Sequence, residues 1–212
     1  AVKSVKEFDD RYIVLITKKG IIKRLKLKDL DTTRKTGIYA INFRENNDEL
    51  VSVRITDGSQ DVLIATKNGK AIRFNEDQVR VMGRTAYGVI GIHLEENDEV
   101  MSMVLVNDNA TLLAVTENGY GKRTNLSEYR PQTRGGKGML TYNINKKTGQ
   151  MIDILIVDEN DEIMIINTDS IVIRLKVDAI SVIGRNTSGV ILMKTEENSK
   201  VVSLAKTIEI KE

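Results

Sequence analysis

The sequence predicts an all-β fold of radially arranged, four-stranded blades, on three observations. Tight turns recur at Lys18-Lys19-Gly20, Lys67-Asn68-Gly69, Glu117-Asn118-Gly119 and Thr168-Asp169-Ser170, and their last residues lie 49, 50 and 51 positions apart. Four residues beyond each turn stands an arginine (Arg24, Arg73, Arg123, Arg174). A second arginine then precedes a glycine by three or four residues, at Arg34/Gly37, Arg84/Gly88, Arg134/Gly138 and Arg185/Gly189. Around these landmarks lie short apolar runs, several alternating with period two, and no sustained 3.6-residue pattern, so helices should be short or missing. A period of about 50 residues holding four strands is the mark of a repeat architecture with blades.

The repeats fall at approximately 11–56, 61–106, 110–157 and 161–207. In the second, Asp61–Thr66 leads through Asn68-Gly69 into Lys70–Phe74, and the Asn-Gly pair predicts a hairpin with a type I′ turn. A basic loop follows, then a third strand over Val89–Leu94, a polar turn at Glu95-Glu96-Asn97-Asp98, and a fourth strand over Val100–Leu105. The first repeat ends likewise at Leu50–Ile55 and the fourth at Val201–Leu204. The opening Ser4–Phe8 reads as the last strand of a preceding unit, which favours an arc of a larger ring.

Composition narrows the function. The chain has 212 residues, 41% apolar and 29% charged, with no apolar run near the ~20 residues that span a bilayer. It has no cysteine, so neither disulfides nor thiolate metal sites, as suits a reducing cytoplasm. His93 is the only histidine and has no visible nucleophile or metal-ligating companion. No metal or other cofactor is expected. Net charge is only +2, yet through Arg44 twelve Lys/Arg face five acids, and position counts for more than the sum.

The candidate chemistry lies in the loops. Gln132-Thr133-Arg134-Gly135-Gly136-Lys137-Gly138 combines glycines, which let backbone approach a partner closely, with two cations suited to phosphate. Arg34, Arg84, Arg134 and Arg185, with Lys35 and Lys137, read as one set of phosphate contacts per blade. The competing reading pins each arginine to a nearby acid, with Asp29, Asp77, Glu128 and Asp178 as partners. The glycines, too, could serve only a tight loop. Lys18, Lys19, Lys70 and Lys122 add charge around the hairpins or are plain surface lysines, as are Lys23, Lys26, Lys28 and Lys67. The strand arginines Arg24, Arg73, Arg123 and Arg174 are expected to be structural. Tyr120 and Tyr129 are expected to pack rather than stack on bases. The acidic turns at Glu45–Asp48, Glu95–Asp98 and Glu196–Asn198 lack the spacing of a calcium loop and read as an edge turned away from an anionic partner.

Glu117–Thr124, Val81-Met82-Gly83-Arg84 and Ile183-Gly184-Arg185-Asn186-Thr187 resemble the C-terminal DNA-wrapping domain of the DNA gyrase A subunit; the corresponding domain of topoisomerase IV is a close second. The likeness covers essentially the whole chain. It implies a β-pinwheel whose neighbouring blades exchange strands, six-bladed in gyrase, and the four units here are most similar to the last four. The heptapeptide is similar to the family's box, Gln-Arg-Arg-Gly-Gly-Lys-Gly, but has Thr133 at the second position and lies in the third unit rather than the first blade. Whether it is the primary box or a degenerate copy stays open. The resemblance implies a non-catalytic module of an ATP-dependent type IIA topoisomerase that bends double-stranded DNA and supports negative supercoiling. Its implied partners are the same polypeptide's breakage–reunion domain and the ATPase B subunit in an A2B2 assembly, in the bacterial cytoplasm at the nucleoid, with no membrane. The alternative outside this class is a propeller-like scaffold that binds acidic proteins.

Overall fold

In the computed structural model, which describes residues 3–207, every regular element is a β-strand or a single 3-10 turn. The first repeat supplies β1 (Tyr12–Thr17), β2 (Ile21–Lys26) and β3 (Leu50–Thr56). The second supplies β4 (Asp61–Thr66), β5 (Lys70–Asn75), β6 (Val89–Ile90) and β7 (Val100–Leu105). The third supplies β8 (Thr111–Thr116), β9 (Tyr120–Asn125), β10 (Met139–Leu140) and β11 (Met151–Val157). The fourth supplies β12 (Glu162–Asn167), β13 (Val172–Lys176), β14 (Val190–Ile191) and β15 (Val201–Lys206).

Strand order explains how the repeats interlock. The sheets run β3-β1-β2-β6, β10-β5-β4-β7, β11-β8-β9-β14 and β13-β12-β15. Each repeat pairs its own fourth, first and second strands. In the last three repeats a short third strand joins the sheet of the repeat before it, as β6 pairs with β2 through Ile21↔Ile90 and Ile22↔Val89, while the first repeat forms no third strand among the described residues. This is the exchange expected of a pinwheel.

The chain divides into two compact units. One comprises residues up to Ile64, Ile72–Leu105 and Pro131–Gly138; the other comprises Ala65–Ala71, Val106–Arg130 and the chain from Met139. The first unit holds a core of Val14, Ile16, Ile22, Val62, Ile64, Ile72, Phe74 and neighbours, and a second cluster around Ile13, Leu15, Leu25, Leu27 and Val53. Alternate residues of β1 therefore point into different cores, and the strand is buried on both faces. Period-two alternation with one solvated face was expected of such strands. It appears in β12 and β13 of the second unit, where buried or half-buried residues alternate with more open ones. The second unit is built on Leu113, Val115, Ile163, Ile165 and Val177. Each such side chain, fully withdrawn from water, stabilises the fold by about 1.5–3 kcal/mol.

Other expectations are corrected. The Asn68-Gly69 turn is not type I′, because only Gly69 has positive φ (84°). Gly69 N–H donates to Thr66 O at 3.2 Å and the loop holds three residues, so a type I turn ends in a left-handed glycine. The third strand of the second repeat stops at Ile90, because Gly91 and Ile92 both turn their N–H groups onto Gly20 O. Ser4–Phe8 forms no strand; Val5 instead packs against the cluster around Ile13. Asp48 and Asp98 in the acidic turns are buried, and Asp48 Oδ1 accepts from the N–H groups of Lys19 and Glu49, so these carboxylates shape the turns.

Candidate nucleic-acid interface

Each second strand runs into a 3-10 turn: Leu27–Leu30, Glu76–Gln78, Leu126–Glu128 or Val177–Ala179. From there the basic loop leads onward, and in the last three repeats it enters the short exchanged strand. The glycine closing each loop has positive φ: Gly37, Gly88, Gly138 and Gly189. At Gly88 a Cβ would also lie 2.7 Å from Ile22 O, so only glycine lets the loop come so close to β2.

The strand arginines are structural. Arg24, Arg73 and Arg123 are buried. Arg24 lies 3.6 Å from the Glu76 carboxylate and 5.1 Å from the Tyr12 ring. Arg73 pairs with Asp61 at 2.8 Å, and Arg123 Nε donates to Ile180 O at 2.8 Å. Arg174 is exposed and pairs with Glu162.

The loop arginines divide into two kinds. Arg34 and Arg84 are exposed, and their guanidinium groups have no hydrogen-bond or ion-pair partner among the described residues. Arg134 and Arg185 are half-buried and pinned. Arg134 Nε donates to Gln78 O at 3.0 Å and Nη1 donates to Ile90 O. Arg185 Nη1 donates to Leu140 O at 2.8 Å, its guanidinium lies 3.8 Å from the Glu128 carboxylate, and it sits over the Tyr129 ring. Of the four acids proposed as pins, only Glu128 holds a loop arginine among the described residues; backbone carbonyls hold Arg134 and share in holding Arg185.

The heptapeptide is docked through its backbone. Gln132 N–H donates to Arg73 O at 2.7 Å, Gly135 N–H donates to Gly91 O at 2.8 Å, and Gly136 O accepts from His93 N–H at 2.9 Å. Gly135 and Gly138 need positive φ, whereas Gly136 does not. Lys137 is exposed and has no side-chain partner among the described residues.

The hairpin lysines fare unevenly. Lys19 and Lys35 are exposed. Lys18 pairs with Glu99 at 3.2 Å, which raises its pKa, and Lys70 is half-buried with interactions of its own. Lys122 is a correction: its side chain is fully buried, so it cannot meet a partner at the surface. Its Nζ donates to the carbonyls of Gly184 (2.9 Å), Arg185 and Thr187 (3.1 Å), and burial pushes the ammonium down to about 8. Lys23 is buried in the same way. Tyr129 packs as expected, fully enclosed and bonded to Thr141 Oγ1, and burial pushes its hydroxyl up to about 12.

Sequence reading overlooked Arg80 and Arg130. Both are exposed, lack a partner among the described residues, and stand four residues before Arg84 and Arg134. Aligning the repeats at the loop arginine would have found them. The first unit thus presents Arg34, Lys35, Arg80, Arg84, Arg134 and Lys137, and the second Arg130 and Arg185.

Comparison with known proteins agrees with this architecture. The family described as "DNA gyrase C-terminal domain, beta-propeller" matches at residues 11–57, 60–107, 110–158 and 161–207. The chain is 49% identical to the DNA gyrase A subunit of Clostridium acetobutylicum over 97% of its length, and 55% identical to that of Halalkalibacterium halodurans over 95%. It spans about a quarter of those relatives, 25% and 24% of their lengths. Among solved structures it is similar to a DNA gyrase A C-terminal domain (TM-score 0.88, 33% identity, 97% of this chain and 69% of that one). It is also similar to the C-terminal domain of a DNA topoisomerase IV (TM-score 0.89, 27% identity, 95% and 64%). With the family pattern matched once per repeat and the exchanged strands in place, the chain belongs to the DNA gyrase C-terminal domain family.

Proposed function

We propose that this chain is a non-catalytic module that binds double-stranded DNA through its arginine loops and bends it, as part of the A subunit of a bacterial gyrase. The observation that carries the reading is the loop itself, which returns in every repeat with an arginine three or four residues before a left-handed glycine, joined in the first three repeats by exposed cations close by in sequence. Cations recurring along a chain suit a polymer of phosphates, whose contacts position a duplex without carrying sequence information. In this role the module presents DNA to the breakage–reunion domain and, with the ATPase B subunit in an A2B2 assembly, supports negative supercoiling at the nucleoid in the bacterial cytoplasm. It needs no cofactor of its own. Identities of 49% and 55% to gyrase A subunits, and among solved structures 33% to the gyrase domain against 27% to the topoisomerase IV domain, support gyrase over topoisomerase IV.

The test is an anisotropy titration of a labelled duplex of about 30 base pairs across a salt series. The eight loop cations named above, some of them half-engaged, would neutralise about 6–8 phosphates and give a log–log salt slope of roughly −5 to −7. Arg84→Ala should weaken binding to unrelated sequences alike and leave thermal stability unchanged. Arg134→Ala with Lys137→Ala should weaken binding and also lower stability, since Arg134 holds two carbonyls. A scaffold for acidic proteins would show no salt-steep affinity for the duplex.

A further inference from the structure

We propose that Lys23 and Lys122 are positioning residues that hold an arginine loop of the following repeat, from beneath, in the shape that meets phosphate. The proposal rests on the duplex-binding reading and extends it to two side chains that never touch DNA. Each lysine stands on the second strand of its repeat, one residue before the buried strand arginine, and each is fully buried.

Each ammonium meets carbonyls of the arginine loop above it, and Lys23 also meets the loop of its own repeat at Ala40. Lys23 Nζ donates to Arg84 O at 2.6 Å, Ala86 O at 2.9 Å and Ala40 O at 2.7 Å. Lys122 Nζ donates to Gly184 O, Arg185 O, Thr187 O and Thr187 Oγ1, and lies 4.8 Å from the Tyr142 ring. A buried cation is costly unless its protons are satisfied. In both cases the acceptors include the backbone of the arginine residue itself and of the second residue after it, joined by Ala40 O at Lys23 and by Gly184 O and Thr187 Oγ1 at Lys122, with no carboxylate among them. The carbonyls that would repel phosphate are thereby turned inward, and a positive charge is set under the loop.

The second repeat solves the same problem another way. Ile72 stands at the lysine's position, and the loop above it reads Arg134-Gly135-Gly136. The Ile72 Cδ1 lies 3.5 Å from where a Gly136 Cβ would stand. Gly136 O accepts from His93 N–H at 2.9 Å with no ammonium beside it, whereas Thr187 O accepts the matching bond from Asn143 N–H at 3.1 Å in addition to that from Lys122. Lysine thus lies under the loops that have alanine or threonine two residues after the arginine, and isoleucine under the loop that has glycine there. This pairing ties the lysine to loop shape rather than to core filling alone.

The test compares the full chain with Lys122→Met and with a triple variant, Lys122→Ile, Asn186→Gly and Thr187→Gly, which copies the second repeat's arrangement. Hydrogen exchange over 183–189 reads loop order, and duplex anisotropy reads affinity and salt slope. Lys122→Met should unfold cooperatively yet exchange faster over 183–189. It should bind duplex about tenfold more weakly, the worth of one charge-assisted contact, with a salt slope shallower by about 1. The triple variant should recover most of that affinity. A folded Lys122→Met with unchanged exchange and unchanged affinity overturns the proposal, and so does a folded triple variant that binds no better than Lys122→Met. Should Lys122→Met not fold, Lys23→Met, read by exchange over 83–88, decides in its place. If the unaltered chain binds no duplex, the duplex reading falls, and exchange alone still decides whether the lysines order the loops.

Discussion

A lysine enclosed among carbonyls gives up its proton more readily than one in water. Burial brings Lys122 from 10.5 down to about 8 in the folded chain. Between those values the unfolded chain binds more protons than the native one, so unfolding free energy rises with pH from about 8 towards 10.5, and the cost of burying the charge is fully present below about 8. Above about 10 the sign reverses, because burial raises the hydroxyls of Tyr129 and Tyr142 and the native chain then holds the extra protons. Denaturant midpoints should therefore climb from pH 8 to 10 in the unaltered chain and climb less in Lys122→Met; parallel curves would refute the assignment. A second residue carries backbone strain. Ser170 sits at φ 63° where the other three repeats place Gly20, Gly69 and Gly119. Relief of the left-handed penalty outweighs the added freedom of the unfolded chain, so Ser170→Gly should raise stability by about 0.5 kcal/mol in urea unfolding.

At the scale of elements, the short turn after β5 is fixed by one carboxylate. Glu76 is fully buried, accepts from Thr56 Oγ1 at 2.6 Å and from the N–H groups of Gly58 and Gln60, and faces Arg24. Glu76→Ala leaves Arg24 without its carboxylate, and the Thr56 hydroxyl and two amides without their acceptor, and should cost about 3–5 kcal/mol in unfolding free energy. Loss under 1 kcal/mol would show that water replaces the carboxylate. This hub was not legible in the sequence, where Glu76 looks like any acid after a strand. The strands were legible because tight turns at Gly20, Gly69 and Gly119 bracket them, and Asp61–Thr66 and Val100–Leu105 form as expected. Strand exchange came only from the family likeness, since period-two alternation says nothing of which sheet a strand joins. The arginine loops were legible because the repeat sets their spacing. Lys122 was misread because lysine types as surface, although aligning it with Ile72 and Ile173 marks an inward position. The pinning of Arg134 and Arg185 by carbonyls left no trace, since a backbone acceptor has no sequence signature.

For the molecule as a whole, net charge is a poor guide, because +2 averages cationic loops with acids that work inside turns. Binding duplex and bending it are separable claims. A stiff duplex of 20–30 base pairs resists bending by about 1–6 kcal/mol, which several phosphate contacts can offset. If the loops only attract phosphate, affinity should be the same for a continuous duplex and for one carrying a central two-nucleotide gap. If they bend the duplex, the gapped DNA escapes the elastic cost and should bind about tenfold or more tightly. Bending that is also chiral stores writhe. A relaxed circular plasmid saturated with the protein, then treated with a type I topoisomerase and stripped of protein, should retain a change in linking number that grows with the protein-to-DNA ratio. Arg34→Ala with Arg84→Ala should shrink that change at equal bound protein, because those exposed guanidiniums have no hydrogen-bond or ion-pair partner among the described residues. Tight, salt-steep binding with no change in linking number and no preference for gapped DNA would leave a phosphate-binding module and remove bending from its function.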